Sequence, residues 1–301
     1  MSQSPTAFRE ARAALRFTDV PTLGSIFFVS SVTGSASGGR SPDAPAATIA
    51  QALALCTASK GDIIFVAPDH VETVAAAGLA WNVAGVTIVG LGNGTNRPTL
   101  TWSTTDAVVT VSGANMLIKN ILTKVSVDEV VSMFLVTGAG VTFDAVDFFE
   151  TASAQAIQWL KTTAAADDLT IKNCRHRQIS AAGSAQKWIE LVGTDHTRII
   201  DNVIQLVGNA STNSECISGS TAVVYCEISR NLIQFIGATV DSVINLVTTS
   251  TGIISDNRIA SGTSVATAAA IIGDGCFMFN NLWADTAAAS GLLAPVVDTD
   301  T

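Results

Sequence analysis

RIIDNVI (198–204), EISRNLI (227–233) and IISDNRI (253–259) repeat one phrase: Ile, any residue, a charge, Asn, any residue, Ile. MFNNLW (278–283) continues it towards the C-terminus. LTIKNCR (169–175) and MLIKNIL (116–122) continue it towards the N-terminus, and VTFDAVDF (141–148) supplies a missing step with Ala145 in place of Asn. Aligned on Asn120, Ala145, Asn173, Asn202, Asn231, Asn257 and Asn281, successive copies lie 25, 28, 29, 29, 26 and 24 residues apart. A helix-pair repeat of that length needs two amphipathic runs of about ten residues each, and none is visible. Three short strands joined by Gly, Asn, Asp, Ser and Thr turns fit instead, which is one coil of a parallel β-helix.

The repeated Asn has two physical readings. Asn tolerates the left-handed backbone of a sharp turn, and stacked amides can bond one another from coil to coil. The expectation is one ladder made by Asn120, Asn173, Asn202, Asn231, Asn257 and Asn281, the rival being that each merely serves a surface turn. The residue before each step runs Lys119, Asp144, Lys172, Asp201, Arg230 and Asp256, alternating in sign. On coils ~4.8 Å apart this predicts a charge column in which unlike charges face each other. Apolar pairs that would fill the interior recur nearby: Val109 and Val111, Phe134 and Val136, Ile189 and Leu191, Val223 and Tyr225, Ile244 and Leu246. Trp81, Trp102, Trp159, Trp188 and Trp283 read as core or end plugs. The fold expected is all-β, a single right-handed parallel β-helix of about nine coils.

Four zones organise the chain: an N-terminal arm (1–24), a lead-in strand and capping helix (25–60), the β-helix (61–283), and a C-terminal arm or cap (284–301). The lead-in orders a strand at Ile26–Ser31, a Gly/Ser loop, a helix over SPDAPAATIAQAL (41–53) that Thr48 can cap, and the strand GDIIFVAP (61–68). That order resembles the start of pectin-lyase-like β-helix proteins, in which the short helix shields the open first coil. The resemblance implies a fold and leaves activity open.

Charged residues make up 14% of the 301 and hydrophobic residues 48%, against roughly 25% charged in an ordinary soluble domain. So few charges predict a surface partly buried against copies of the chain. A net charge of −9 argues against a nucleic-acid partner. The densest basic cluster, Arg175, His176 and Arg177, reads as a solvated edge. Neither a secretory leader nor a run long enough to span a membrane is expected. The five cysteines lack metal-site spacing and read as small buried hydrophobes.

Chemistry is hard to find in the sequence. A glycoside hydrolase needs two carboxylates ~5–9.5 Å apart; a polysaccharide lyase needs a Lys or Arg base and a site that neutralises the uronate. The candidate carboxylates are Asp144, Asp147, Glu150, Asp167, Asp168, Asp195 and Asp201; Asp144 and Asp201 are absorbed by the charge column, Asp167–Asp168 by a turn, and no cluster remains that demands a catalytic account. His70, His176 and His196 read as solvated turn residues, and GLGNG (90–94) as a turn without the strand–helix setting of a phosphate loop. The expectation is therefore a protein that is not an enzyme, with no catalytic residue, cofactor or metal.

The Ala/Thr/Val-rich β-helix with flanking arms resembles tailspike-like bacteriophage virion proteins. That resemblance implies a homotrimer made in the host cytoplasm that decorates or cements the capsid exterior. Its partners would be the major capsid protein or other virion proteins, gripped by an arm containing Phe8, Leu15 and Phe17. The alternative is a tailspike-type receptor-binding or polysaccharide-cleaving protein, and a glycan partner enters only there.

Overall fold

The computed structural model describes residues 24–150, 154–180, 184, 186–208, 214–236, 242–261, 271–273, 275–285 and 291–293. Short strands stack into three sheets, which form the faces of a right-handed parallel β-helix. The first face has ten strands, from Ile26–Val29 to Cys276–Phe279. The second runs from Val71–Val74 to Asn281–Asp285 and ends with Gly291–Leu293, paired antiparallel to the strand before it. The third has eight strands, from Leu79–Trp81 to Ile271–Ile272. Eight successive coils thus carry a strand on every face, one fewer than the repeat length predicts.

Alternation decides which side chains enter the core. In Leu232–Ile236 the burial runs exposed, buried, exposed, buried, exposed, so Ile233 and Phe235 point inward, as period-two geometry requires. Trp81, Trp102, Trp159 and Trp188 are fully buried, as are Val109, Val111, Phe134, Val136, Ile189, Leu191, Val223, Ile244 and Leu246. Tyr225 departs from the expected interior set: it is 67% exposed at φ 54° and stacks on His196. Cys174, Cys216 and Cys226 are buried, and burial pushes the Cys174 and Cys216 thiols above their ordinary range.

Two columns of left-handed residues flank the first face and turn the chain at every coil. Gly61, Gly85, Asn115, Gly140, Asp168, His196 and Tyr225 stand on its entry side. Asn120, Ala145, Asn173, Asp201, Arg230, Asp256 and Asn280 stand on its exit side. Gly, Asn and Asp are the residues that enter this region at least strain. They fill most of both columns, which explains the turn chemistry of the repeat.

The first coil is covered by helix α1 (Ile49–Leu53), whose Ile49, Ala52 and Leu53 are buried. Thr48 and Gln51 form a capping box at its start. Glu72, on the first strand of the second face, accepts the Ile49 N–H at 2.9 Å and meets His70 Nε2 at 3.2 Å. His70 is therefore buried between helix and coil, which corrects its expected place in a solvated turn. No helix among the described residues is long and apolar enough to cross a membrane.

Candidate functional site: a cationic cleft on the second face

The Asn residues divide between two neighbouring columns. Asn202, Asn231, Asn257 and Asn281 point inward, almost fully buried. Asn202, Asn231 and Asn257 each donate Nδ2–H at 3.0 Å to the Oδ1 of the next. That same oxygen also accepts the backbone N–H of the preceding Asn at 3.0–3.1 Å. The second amide hydrogen goes to a strand carbonyl: Ile171, Ile199, Ile228 and Ile254 in turn. Cys174 continues the column, its N–H donated to Asn202 Oδ1 at 2.9 Å.

Asn120 and Asn173 do not join this ladder. They occupy the left-handed turn column one residue earlier. There Asn120 Nδ2 donates to the Gly90 and Gly92 carbonyls at 2.8 and 3.0 Å, and Asn173 Nδ2 to Asp144 Oδ1 at 2.8 Å. The expected ladder is therefore two sets, because Asn suits both an αL turn and an amide stack. Pairing Lys172 with Ile200 places Asn173 level with Asp201 and not with Asn202.

The expected charge column splits in the same way. Lys119, Asp144 and Lys172 share one register, and Lys119 Nζ meets Asp144 at 3.1 Å. Asp201, Arg230 and Asp256 stand in the turn column, where Arg230 holds Asp201 through two bonds of 2.8 and 3.0 Å. Phe8, Leu15 and Phe17, and most of the proposed C-terminal arm, lie outside the described residues.

The outer side of the second face carries the cluster with chemical potential. A cleft of about 480 Å3 opens there, lined in part by Arg97, Thr99, Leu122, Lys124, Phe149 and Arg175. One wall is the loop that begins with the Gly-rich turn and contains Gly94 and Thr95. Phe149 pairs with Arg177 on the next coil. The register Leu122–Asp147 and Thr123–Phe148 brings Lys124 level with Phe149 on the other side. Lys124, Phe149, Arg175 and Arg177 are exposed. His176 lies between the two arginines but faces inward, corrected from a solvated position: it is 3% exposed and stacks on Phe148 at 4.6 Å. Burial holds its imidazole neutral, lowering its pKa to about 3.

Asp147 anchors the cleft floor across three coils. Its Oδ2 accepts Arg97 Nη2 at 2.6 Å and its Oδ1 accepts the Arg175 N–H at 2.9 Å. Arg97 also donates to the Gly94 and Ala145 carbonyls, so the buried ion pair is satisfied on both sides. Glu150 stands at the rim, and burial pushes its carboxyl up to about 7. Its Oε2 accepts the N–H groups of Ile179 and Ser180 at 2.6 and 3.1 Å. Asp147 is engaged through both oxygens, whereas Glu150 Oε1 is buried without a hydrogen-bond partner among the described residues. Among the described residues no three His, Cys, Asp or Glu side chains cluster to share a metal ion.

The fold is a right-handed parallel β-helix with an outward cleft on its second face. No protein-family model matches the chain, and no curated relative matches it. Among solved structures it superposes on pectate lyase Pel9A with a TM-score of 0.51 and 12% identity, covering 89% of this chain and 78% of that one. A rhamnogalacturonan lyase gives a TM-score of 0.49 at 12% identity over 86% and 87% of the two chains. At this identity the likeness is one of fold. It still corrects the expectation that the chain is not an enzyme. Pel9A is a lyase built on this architecture over most of its length, so lack of a legible carboxylate cluster is no ground for setting catalysis aside.

Arg97, Lys124 and Phe149 were invisible as a set in the sequence. They come from three different coils and share no motif. The visible signals were the Arg175–Arg177 cluster, the GLGNG turn and the carboxylates Asp147 and Glu150, each read separately.

Proposed function

We propose that this chain binds an acidic polysaccharide in the second-face cleft and cleaves it by β-elimination. One observation carries the reading. On a protein of net charge −9, Arg97, Lys124 and Arg175 line the cleft with the exposed Phe149, and Arg177 is the register neighbour of Phe149 on the next coil. Guanidinium groups match a carboxylate with paired hydrogen bonds, and the ring offers an apolar platform for the C–H face of a sugar.

In this reading Arg175 and Arg177 hold the uronate carboxylate and neutralise it, which acidifies the proton on the adjoining ring carbon. Lys124 Nζ is placed to take that proton as the general base. The freed electron pair forms a carbon–carbon double bond, and the glycosidic oxygen on the β carbon leaves with the electrons of its broken bond. A proton from solvent completes the leaving hydroxyl. No step requires a metal.

Capsid decoration by a homotrimer, the other reading drawn from the sequence, draws no support from the described geometry. The test of the cleft is direct. Polygalacturonate is incubated with the wild-type protein and the ultraviolet absorbance of unsaturated chain ends is followed. Lys124→Ala is expected to remove turnover while keeping affinity. Arg175→Ala and Arg177→Ala are each expected to weaken binding roughly tenfold, about 1.4 kcal/mol, and less so at high salt. A wild-type protein that neither binds nor cleaves any uronate polymer would refute the proposal.

A further inference from the structure

Two cysteines meet at the C-terminal end of the first face. Cys226 pairs with Gly252 on the next coil, and Gly252 pairs with Cys276 on the one after. Cys226 is buried, Cys276 is half-buried, and neither is in a disulfide. A Cβ on Gly252 would lie 2.8 Å from Cys226 Sγ, so that thiol is aimed into the space a side chain between the two cysteines would fill. Glycine, here at φ 146°, leaves the gap open, and across it the two thiols hydrogen-bond to each other. That contact and burial together hold the Cys226 thiol above its ordinary range.

The spacing selects what the pair can do. Neighbouring strands lie ~4.8 Å apart, so two coils separate the Cys226 and Cys276 Cα atoms by ~9.6 Å. A disulfide needs Cα atoms ~4.4–6.8 Å apart. The intervening strand Gly252–Ser255, paired on both sides, props the two cysteines beyond that. Two metal–sulfur bonds of ~2.3 Å in line set their sulfurs ~4.6 Å apart, which suits side chains reaching towards each other over this gap. The donor count narrows the ion. Zinc takes four ligands, and among the described residues no three His, Cys, Asp or Glu side chains cluster. A thiolate pair instead suits a soft ion that two donors satisfy, foremost Cu(I).

We propose that Cys226 and Cys276 bind one cuprous ion in linear coordination across Gly252. As each sulfur–copper bond forms, that thiol gives its proton to solvent, and the filled site keeps one negative charge. Copper stays Cu(I) throughout, so no oxidant or reductant is consumed. The part-exposed Cys276 gives the ion its way in and is the side on which water solvates the remaining charge. The site lies on the first face, apart from the cleft, and does not depend on what the cleft binds.

The experiment titrates the full chain, reduced and kept free of oxygen, with Cu(I) against a coloured Cu(I) chelator. One tightly held equivalent is expected, with X-ray absorption showing two sulfur neighbours to the copper and no others. Cys226→Ala and Cys276→Ser should each weaken binding roughly a hundredfold or more, because a single thiolate leaves the ion half-coordinated. Cys56→Ala and Cys216→Ala, which alter thiols outside the pair, should leave binding unchanged. Circular dichroism checks that each variant folds, and Cys276→Ser, at the half-buried position, keeps the test valid if Cys226→Ala does not. Cu(I) held as tightly by Cys276→Ser as by the wild type would overturn the proposal, as would three or more donors around the copper. So would a Cys226–Cys276 disulfide formed under oxidised glutathione, since the coils would then not hold the two sulfurs apart.

Discussion

The two halves of the coil stack fill the same corner by different means. In the N-terminal half the column beside the exit turn holds Ile121, Val146 and Cys174, all buried. The core behind it is aromatic. Phe134 touches Trp81, Trp102, Phe143 and Trp159 with ring centroids 5.2–6.1 Å apart, and Trp159 stacks on Trp188 at 5.6 Å. In the C-terminal half the same column becomes Asn202, Asn231, Asn257 and Asn281, and the core is largely aliphatic, with Ile217, Ile228, Ile233, Ile244, Leu246 and Ile254 buried. One half is held by ring packing, much of it edge-to-face. The other adds a directional amide ladder that sets coil against coil in one register. The candidate cleft lies on the outer surface of the aromatic half.

Removing a ring should have the largest effect. Trp159→Ala is expected to lower the unfolding free energy by roughly 3–5 kcal/mol, the usual loss for a buried aromatic, measured by urea denaturation. A loss below about 1 kcal/mol would show that the aromatic cluster does not carry its half.

Asn231→Ala tests the other half. It leaves the Asn202 N–H and amide without their acceptor and the Ile199 carbonyl without its donor. Buried groups left unpaired cost about 1–3 kcal/mol each, so a loss of roughly 3 kcal/mol is expected. Cys174→Asn sharpens the contrast by extending the ladder one coil into the aromatic half. It should be tolerated within about 1 kcal/mol, since Asn202 Oδ1 is already the acceptor there. A change as large as that of Asn231→Ala would mean the two halves do not share one corner geometry.

The halves should also differ in their response to pH. The ladder amides do not titrate, whereas the aromatic half buries His176 and Glu150. The unfolded chain takes up a proton on His176 near its ordinary 6.5, but the folded chain resists until about 3. Stability is therefore lost as pH falls from 6.5 towards 3. Glu150 works the other way, its carboxyl raised from 4.5 to about 7 by burial. The folded chain keeps a proton that the unfolded chain releases, so stability is lost as pH rises from 4.5 to 7. Between 4.5 and 6.5 the two slopes oppose, each at most about 1.4 kcal/mol per pH unit. His176→Phe should flatten the loss between pH 6.5 and 4.5, and Glu150→Gln the loss on raising pH from 4.5 to 7, both read from thermal midpoints. Two variants with identical pH profiles would contradict this account.

The smallest effect belongs to the surface columns. Lys119→Ala removes the partly exposed pair with Asp144 and should shift stability by less than about 1 kcal/mol. A larger loss would give those charges a share in holding the coils that the core contrast does not allow.

Much of this contrast was legible from residues alone. The repeat length with its turn residues specified a coil, the SPDAPAATIAQAL segment specified its cap, and the apolar pairs specified the interior. These follow from local rules: period-two burial, the tolerance of Asn, Asp and Gly for left-handed backbone, and the capping of Ile49–Leu53 by Thr48. Their signals lie within a few residues of one another, so a linear reading can find them.

What only the tertiary structure decided is which neighbours meet between coils. Asn173 and Asn202 look equivalent in sequence, yet backbone pairing puts them one step apart, one turning the chain and the other bonding its core. Lys124, Phe149 and Arg177 are 25 to 28 residues from one another in turn and become neighbours only when three coils stack in register. A shift of one residue turns an outward side chain inward. The cleft, unlike the coil, is therefore a property of register, and register is set by the packing of the whole stack.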